Sequence, residues 1–221
     1  IEAIIDNREN VDSKLVKEIE KNNIKIYKGY TVVNTFGYKR INKISIMQLS
    51  KDGQKVVGSK ISIDCDCLGM SGGWTPAVHL FTQSGGKLKF RDEDQVFIPD
   101  TYPSDQISIG SCNGEFTLDE ILSSISKKLK DFLNIKKTEY ENLEIQSHFN
   151  KTKRNIWLLP SDKIIGKTKP FVDYQNDATA KDIKLALREG FRSIEHVKRY
   201  TTTGMGTDQG KLGNMHALGI V

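Results

Sequence analysis

Cysteine is scarce in this chain of 221 residues, with Cys65, Cys67 and Cys112 as its three examples. An odd number of thiols makes no disulfide framework, which points away from an oxidising, secreted setting and towards a reducing, cytoplasmic one. With only one further cysteine to join them, Cys65 and Cys67 do not read as a metal site. A continuous apolar run of about 18 residues is also missing, as is a charged leader followed by an apolar stretch, so neither a membrane span nor a signal peptide is expected. No nucleic-acid-binding motif is present. The net charge of +5, from 33 Lys+Arg against 28 Asp+Glu, therefore reads as solvated surface. His79, His148, His196 and His216 are scattered without a matching nucleophile, which leaves hydrolase chemistry unsupported. Internal repeats and low-complexity tracts are absent too.

What is present is ordinary for a globular chain. Hydrophobic residues make up 37% and charged residues 28%, which suffices for a buried core in one large or two small domains. The chain opens without a Met on an apolar run, Ile1-Glu-Ala-Ile-Ile5, and is expected to be a fragment that lacks its natural N-terminus.

That run reads as a buried strand ending at Asp6. Val11, Leu15 and Ile19 then recur at four-residue spacing as one helix face, and Ile24-Lys-Ile-Tyr27 begins another strand. The strand–helix–strand rhythm is that of a dinucleotide-binding domain entered after its first strand and glycine turn. Alternating patterns at 30–35, 41–49 and 55–63, separated by Gly37 and Asp52-Gly53, predict a three-stranded antiparallel meander attached to that sheet. Short apolar runs at Cys67–Met70 and Ile107–Ile109 read as strands leading into glycine loops. Thr117-Leu-Asp-Glu120 is a capping box, and Leu118, Ile121, Leu122, Ile125, Leu129 and Phe132 supply the apolar face of the helix it starts.

The domain reading is a partial FAD/NAD(P)-binding Rossmann-like α/β domain over 1–133, a lysine-rich connector over 134–166 and a small, mostly helical unit over 167–221. Within the connector Ile156-Trp-Leu-Leu159 is an apolar knot suited to docking on a neighbour. In the last unit Phe171-Val172 reads as a strand. A helix follows, capped by Thr179 with Asp182 in its first turn and stopped at Gly190, and a second runs from Ser193 to about Thr201.

Several of these residues carry chemistry. An acidic residue at the end of the second strand of a dinucleotide fold accepts hydrogen bonds from ribose hydroxyls, and Asp6 stands there. Its alternative is a turn carboxylate at a helix entry. Ser71, Gly72, Gly73 and Trp74 form a loop in which two residues without Cβ let backbone N–H groups approach a pyrophosphate. A structural turn is the other reading of this loop, and packing or interface roles are the other reading of Trp74 and Trp157. Asp64 and Asp66 read as solvated sheet edge.

Two blocks also resemble a known family. Phe171-Val-Asp-Tyr-Gln-Asn-Asp-Ala-Thr-Ala-Lys-Asp182, continued from Arg188 to Lys211, resembles the segment before the folate-binding domain in the alpha subunit of heterotetrameric sarcosine oxidase. Met70-Ser-Gly-Gly-Trp-Thr-Pro-Ala-Val-His-Leu80 resembles that subunit's dinucleotide-binding part, and the two occur in the same order. The resemblance implies NAD bound in this subunit, FMN between the alpha and beta subunits, FAD in the beta partner, tetrahydrofolate in a C-terminal domain beyond this chain, and gamma and delta subunits completing the complex. It implies oxidative demethylation of sarcosine with O2, the amine-oxidising residues lying outside this chain.

Related flavoproteins carry Gly-Asp at a later loop. Here that loop is Gly110-Ser-Cys-Asn113, without the aspartate, so Gly110 and Asn113 are expected to face NAD in preference to FAD, a structural turn being the alternative. The last unit also resembles a small [2Fe–2S] domain of related amine oxidases. Asp173, Gln175, Asp208 and Gly213 align with its cysteines, and without thiolates no cluster is expected. Lys198, Arg199, Thr201, Thr202 and Lys211, with Gly204, Gly206 and Gly210 among them, concentrate cations, hydroxyls and open backbone suited to the FMN phosphate. Their alternative is a helix C-terminus whose basic residues complement the dipole. Two other functions stay open: an oxidoreductase subunit for another secondary amine such as proline or dimethylglycine, and a non-catalytic NAD-binding scaffold.

Overall fold

A computed structural model describes residues 1–11, 13–103, 105–134, 155–163 and 168–221. They separate into two compact units. The first gathers Ile1–Asn10, Ile24–Leu68 and Ile156–Val221, and the second Val11–Asn23 and Gly69–Asn155. Most of the stretch expected as a connector, His148 included, lies outside the described residues.

The first unit begins with β1 (Ala3–Asp6), which pairs in parallel with β2 (Lys25–Lys28), Ile4 opposite Ile26 and Ile5 opposite Tyr27. The helix between them in sequence, α1 (Lys14–Lys21), completes the expected strand–helix–strand order. Gly29 then turns the chain, its amide donating to the Arg8 carbonyl and its carbonyl accepting from Leu49. The predicted meander follows as β3 (Tyr30–Gly37), β4 (Ile41–Leu49) and β5 (Val56–Asp64), antiparallel with β4 in the middle. It forms its own sheet and is not hydrogen-bonded to the parallel pair. A central strand buries both faces, and Ile44, Ser45, Ile46 and Met47 are accordingly all buried.

The same unit closes with β8 (Phe171–Asp173), β9 (Ala178–Thr179) and the helices α4 (Ala180–Arg188), α5 (Ile194–Thr201) and α6 (Asn214–Ile220). Ile183 and Ala186 of α4 meet Val197 of α5 and Ala217 of α6 in a closed apolar cluster, with Val172, Leu187, Phe191, Ile194 and Ile220 around it. Each fully buried Ile or Val contributes roughly 1.5–3 kcal/mol here. Alanine at 186 and 217 lets the helices approach. The apolar knot read at 156–159 does dock: a Cβ on Gly219 would lie 2.2 Å from ring atoms of Trp157, and His216 meets the same ring edge-on.

In the second unit α1 departs from its predicted face. Ser13 caps it by accepting from the Val16 amide, so the helix begins too late to include Val11. Val16 is the buried position on this helix, while Leu15 is 55% exposed. The short helix α2 (His79–Gln83) leads into a hairpin that periodicity did not reveal, β6 (Lys87–Arg91) with β7 (Val96–Thr101). Neither Cys67–Met70 nor Ile107–Ile109 is a strand. In the second of these, side chains satisfy the backbone in place of a ladder: Lys128 donates to the Ser108 carbonyl and Glu115 accepts from the Gly110 amide. A one-turn 3-10 helix spans Gly110–Asn113, and α3 (Leu118–Leu133) starts on the expected Thr117/Glu120 capping box. Among the described residues no helix is long and apolar enough to cross a membrane.

Candidate functional site

Asp6 lies at the end of β1, as the pattern required, but its carboxylate is already engaged. Arg8 donates its amide and Nε to Oδ1, each at 2.9 Å, and its Nη2 to Oδ2 at 2.7 Å. Burial alone would raise the Asp6 pKa; the hydrogen bonds and charge of Arg8 outweigh it and hold the carboxyl below its ordinary value. Sequence reading missed Arg8. Its spacing of two residues after the strand-end acid was the available signal.

The last part of the first unit is built around Asp173. This buried side chain accepts from the amides of Gln175 at 2.8 Å, Asn176 at 3.1 Å and Gly204 at 2.7 Å, and from Asn176 Nδ2 at 3.2 Å. Burial acts to raise its pKa, yet these donors hold it below the usual aspartate value. Gln175 Oε1 accepts from both the amide and the hydroxyl of Thr207, and Asp208 accepts from the amides of Gly210 and Leu212. A Cβ on Gly213 would stand 2.6 Å from the Val172 carbonyl oxygen, so glycine is required where the two segments touch. Of the four residues aligned with cluster cysteines, Asp173, Gln175 and Gly213 thus tie the 172–176 and 203–213 segments together, while Asp208 folds the second segment on itself.

Around this clasp lie the proposed phosphate residues. Lys198 and Arg199 occupy the last turn of α5, and Lys211 is exposed in the turn before α6. Among the described residues none of the three is in an ion pair. The hydroxyls are less available: Thr201 donates to the Val197 carbonyl at 2.8 Å and Thr202 to the Thr201 carbonyl at 2.6 Å. The backbone expected to be open is engaged as well, since Gly204, Thr207 and Gly210 all donate within the clasp. An anion here would meet cationic side chains and not an amide nest.

In the second unit Ser71, Gly72, Gly73 and Trp74 are exposed in a segment without regular structure. A Cβ on Gly73 would touch nothing within 4 Å, leaving its backbone open to a ligand. Trp74 is 74% exposed. The second loop is held from below. Asn113 Nδ2 donates to Glu115 Oε1 at 2.9 Å, its Oδ1 accepts from the Tyr102 hydroxyl at 3.2 Å, and Arg91 donates to the Gly114 carbonyl at 2.9 Å. Lys128 and Arg91 were not legible as site residues, since their contacts join positions distant in sequence, whereas Glu115, two residues after Asn113, was missed although its contact to Asn113 is local. Among the described residues no three His, Cys, Asp or Glu side chains gather as metal ligands.

The fold that carries these sites is an α/β fold with antiparallel sheets, shared with a solved protein: the chain matches the crystal structure of L-proline dehydrogenase from P. horikoshii with a TM-score of 0.56 and 18% identity, covering 97% of this chain and 43% of that one. Residues 167–221 match the family described as the Sarcosine oxidase A3 domain. Over nearly its whole length the chain is a relative of sarcosine oxidase subunit alpha. It is 30% identical to that of Rhizobium meliloti (strain 1021) over 223 residues, covering 96% of this chain and 21% of that protein. It is 28% identical to that of Corynebacterium sp. (strain P-1) over 227 residues, covering 99% of this chain and 23% of that protein. The chain therefore spans less than a quarter of the length of these curated relatives, which are by name subunits of an oxidoreductase.

Proposed function

We propose that this chain is the part of a heterotetrameric sarcosine oxidase alpha subunit that binds a dinucleotide, NAD, and helps form an FMN-containing interface with the beta subunit. The observation that carries this reading is the near full-length similarity to sarcosine oxidase alpha subunits, together with the A3 match over 167–221. The overall reaction converts sarcosine, water and O2 into glycine, formaldehyde and hydrogen peroxide. With tetrahydrofolate, the one-carbon unit leaves as 5,10-methylenetetrahydrofolate instead. FAD in the beta subunit and FMN at the interface supply the redox chemistry, and gamma and delta subunits complete the assembly. This chain's own part is to bind and to position.

Residues 1–133 are read as the latter part of the dinucleotide-binding domain, 134–166 as a connector and 167–221 as a small helical interface domain that resembles a cysteine-less [2Fe–2S]-type fold. Open backbone at Gly73, the exposed Gly72 beside it and the Gly110–Asn113 turn suit one wall of a dinucleotide site in the second unit. Asp6, in the first unit, is read on its own as an acceptor for ribose hydroxyls once Arg8 yields part of its carboxylate. Lys198, Arg199 and Lys211 fit the nearly doubly charged FMN phosphate by charge, whereas the Thr201 and Thr202 hydroxyls donate to it only on giving up the carbonyl bonds they now make.

The test is flavin retention in the assembled complex. Neutralising Lys198 and Arg199 together is expected to lower FMN occupancy while FAD content stays constant; unchanged FMN would remove these residues from the site. A second reading, a subunit acting on another secondary amine such as proline or dimethylglycine, draws on the fold shared with the proline dehydrogenase structure. A non-catalytic NAD-binding scaffold is the third, and an amine assay of the same complex separates all three.

A further inference from the structure

Glu115 follows the Gly110–Asn113 turn and collects four donors on one side chain. Its Oε2 accepts from the Gly110 amide at 3.0 Å and the Ser124 hydroxyl at 2.6 Å. Its Oε1 accepts from Asn113 Nδ2 at 2.9 Å and Lys128 Nζ at 2.8 Å. Lys128 donates onward to the Ser108 carbonyl at 3.2 Å. The turn thus hangs on α3 at two positions one helical turn apart, Ser124 and Lys128, through a single carboxylate. Both side chains are partly buried, at 17% and 31% exposure, where a charged pair is screened less than at an open surface. Burial tends to raise the Glu115 pKa, but Lys128, Ser124, Asn113 and Gly110 together keep it below the ordinary glutamate value.

A short turn with no strand partner would otherwise sample many backbone states, and ordering each residue costs conformational entropy. Charge-assisted bonds to both ends of the turn meet that cost before a ligand arrives, which is preorganisation. The neighbouring ammonium also matters for an anionic ligand. A bare carboxylate beside a pyrophosphate would repel it, whereas the Glu115–Lys128 pair is neutral as a unit.

We infer that Glu115 is a positioning residue for the dinucleotide, holding Gly110 and Asn113 in the shape the ligand meets, with Lys128 as its anchor on α3. This rests on the dinucleotide reading of the preceding subsection. Glu115 acts through the turn and does not touch the ligand, because its oxygens are engaged within the protein.

The experiment titrates NAD into the full-length subunit in its native complex by calorimetry, at a temperature where every variant is folded. Glu115→Gln and Lys128→Met are each expected to weaken NAD binding about tenfold, the scale of one charge-assisted hydrogen bond, and Lys128→Arg to restore it to within about twofold. Amide exchange at Gly110 is expected to speed up in Glu115→Gln. A pair that only braced α3 would change the melting temperature and leave the affinity of the folded protein alone. Equal NAD affinity in wild type and Glu115→Gln would overturn the positioning role while the dinucleotide reading stands. No NAD binding by the wild type would overturn that reading and this role with it. Should Glu115→Gln not fold, the Lys128 pair decides: equal affinity in Met and Arg variants refutes the inference.

Discussion

The Asp173 carboxylate accepts a 2.7 Å hydrogen bond from the backbone amide of Gly204, 31 residues further along the chain. Among the described residues no ion pair reaches this buried carboxylate, which four N–H groups hold, so each donor matters. Asp173→Ala would leave the buried amide of Gly204 and the part-buried amides of Gln175 and Asn176 without their acceptor. A loss of about 3 kcal/mol in unfolding free energy is expected by urea denaturation. A loss below about 0.5 kcal/mol, the scatter of ordinary surface substitutions, would show that the clasp is not what holds this unit.

The same carboxylate sets a pH dependence. The Asp173 pKa lies lower in the folded chain than its ordinary value of 3.8, and the pKa values of Asp6, Glu115 and Asp182 are lowered in the same sense. A depressed folded value means that the unfolded chain binds protons first. Their stabilisation is complete above the ordinary carboxylate range and disappears as pH falls through the depressed values. Stability is therefore expected to be flat near neutrality and to fall on acidification below about pH 4. In Asp173→Asn that fall should be shallower; an identical acid limb would remove Asp173 from the cause.

Trp157 and Gly219 give a spectroscopic prediction. Because a Cβ at 219 would lie 2.2 Å from the indole, Gly219→Ala must displace the ring, at a cost of about 1–3 kcal/mol. Trp74 is already exposed, so a Trp74→Phe background isolates Trp157. The expected reading is a red shift of its emission together with a lower melting temperature. Emission and melting unchanged by the alanine would mean that the ring does not rest on α6.

Ser45, 1% exposed in the middle of β4, has a hydroxyl with no hydrogen-bond partner among the described residues. Removing an unsatisfied buried hydroxyl is favourable, and Ser45→Ala is expected to raise stability by about 1 kcal/mol in thermal unfolding. A clear loss would reveal an acceptor or a bound water at this site.

Local patterns carried most of the fold. Alternation placed the meander, Thr117 and Glu120 announced their capping box, and Thr179 and Asp182 announced α4. These are signals between residues a few positions apart. What escaped were relationships fixed by tertiary contact. Val11 shares spacing with Leu15 and Ile19, but Ser13 starts α1 after it, which rotates the buried face onto Val16. Ile107–Ile109 has the composition of a strand, yet Lys128 and Glu115 satisfy the backbone around it from a distant helix. The candidate residues were legible by type and not by commitment. Asp6 sits where a ribose acceptor belongs, and Arg8, two residues on, went unread as the cation that holds both its oxygens. The glycines at 204 and 210 likewise looked like open backbone until the clasp was seen to use their amides.

The central claim is that this chain serves a sarcosine-oxidising complex. Its most direct test uses the full-length subunit co-expressed with its beta partner: the flavin absorption is recorded, sarcosine is added without oxygen, and oxygen is then readmitted while peroxide is assayed. The account predicts bleaching of the flavin bands, their return with oxygen and hydrogen peroxide formed in step. A complex that holds flavin yet is not bleached by sarcosine, while proline or dimethylglycine bleaches it, would contradict the claim.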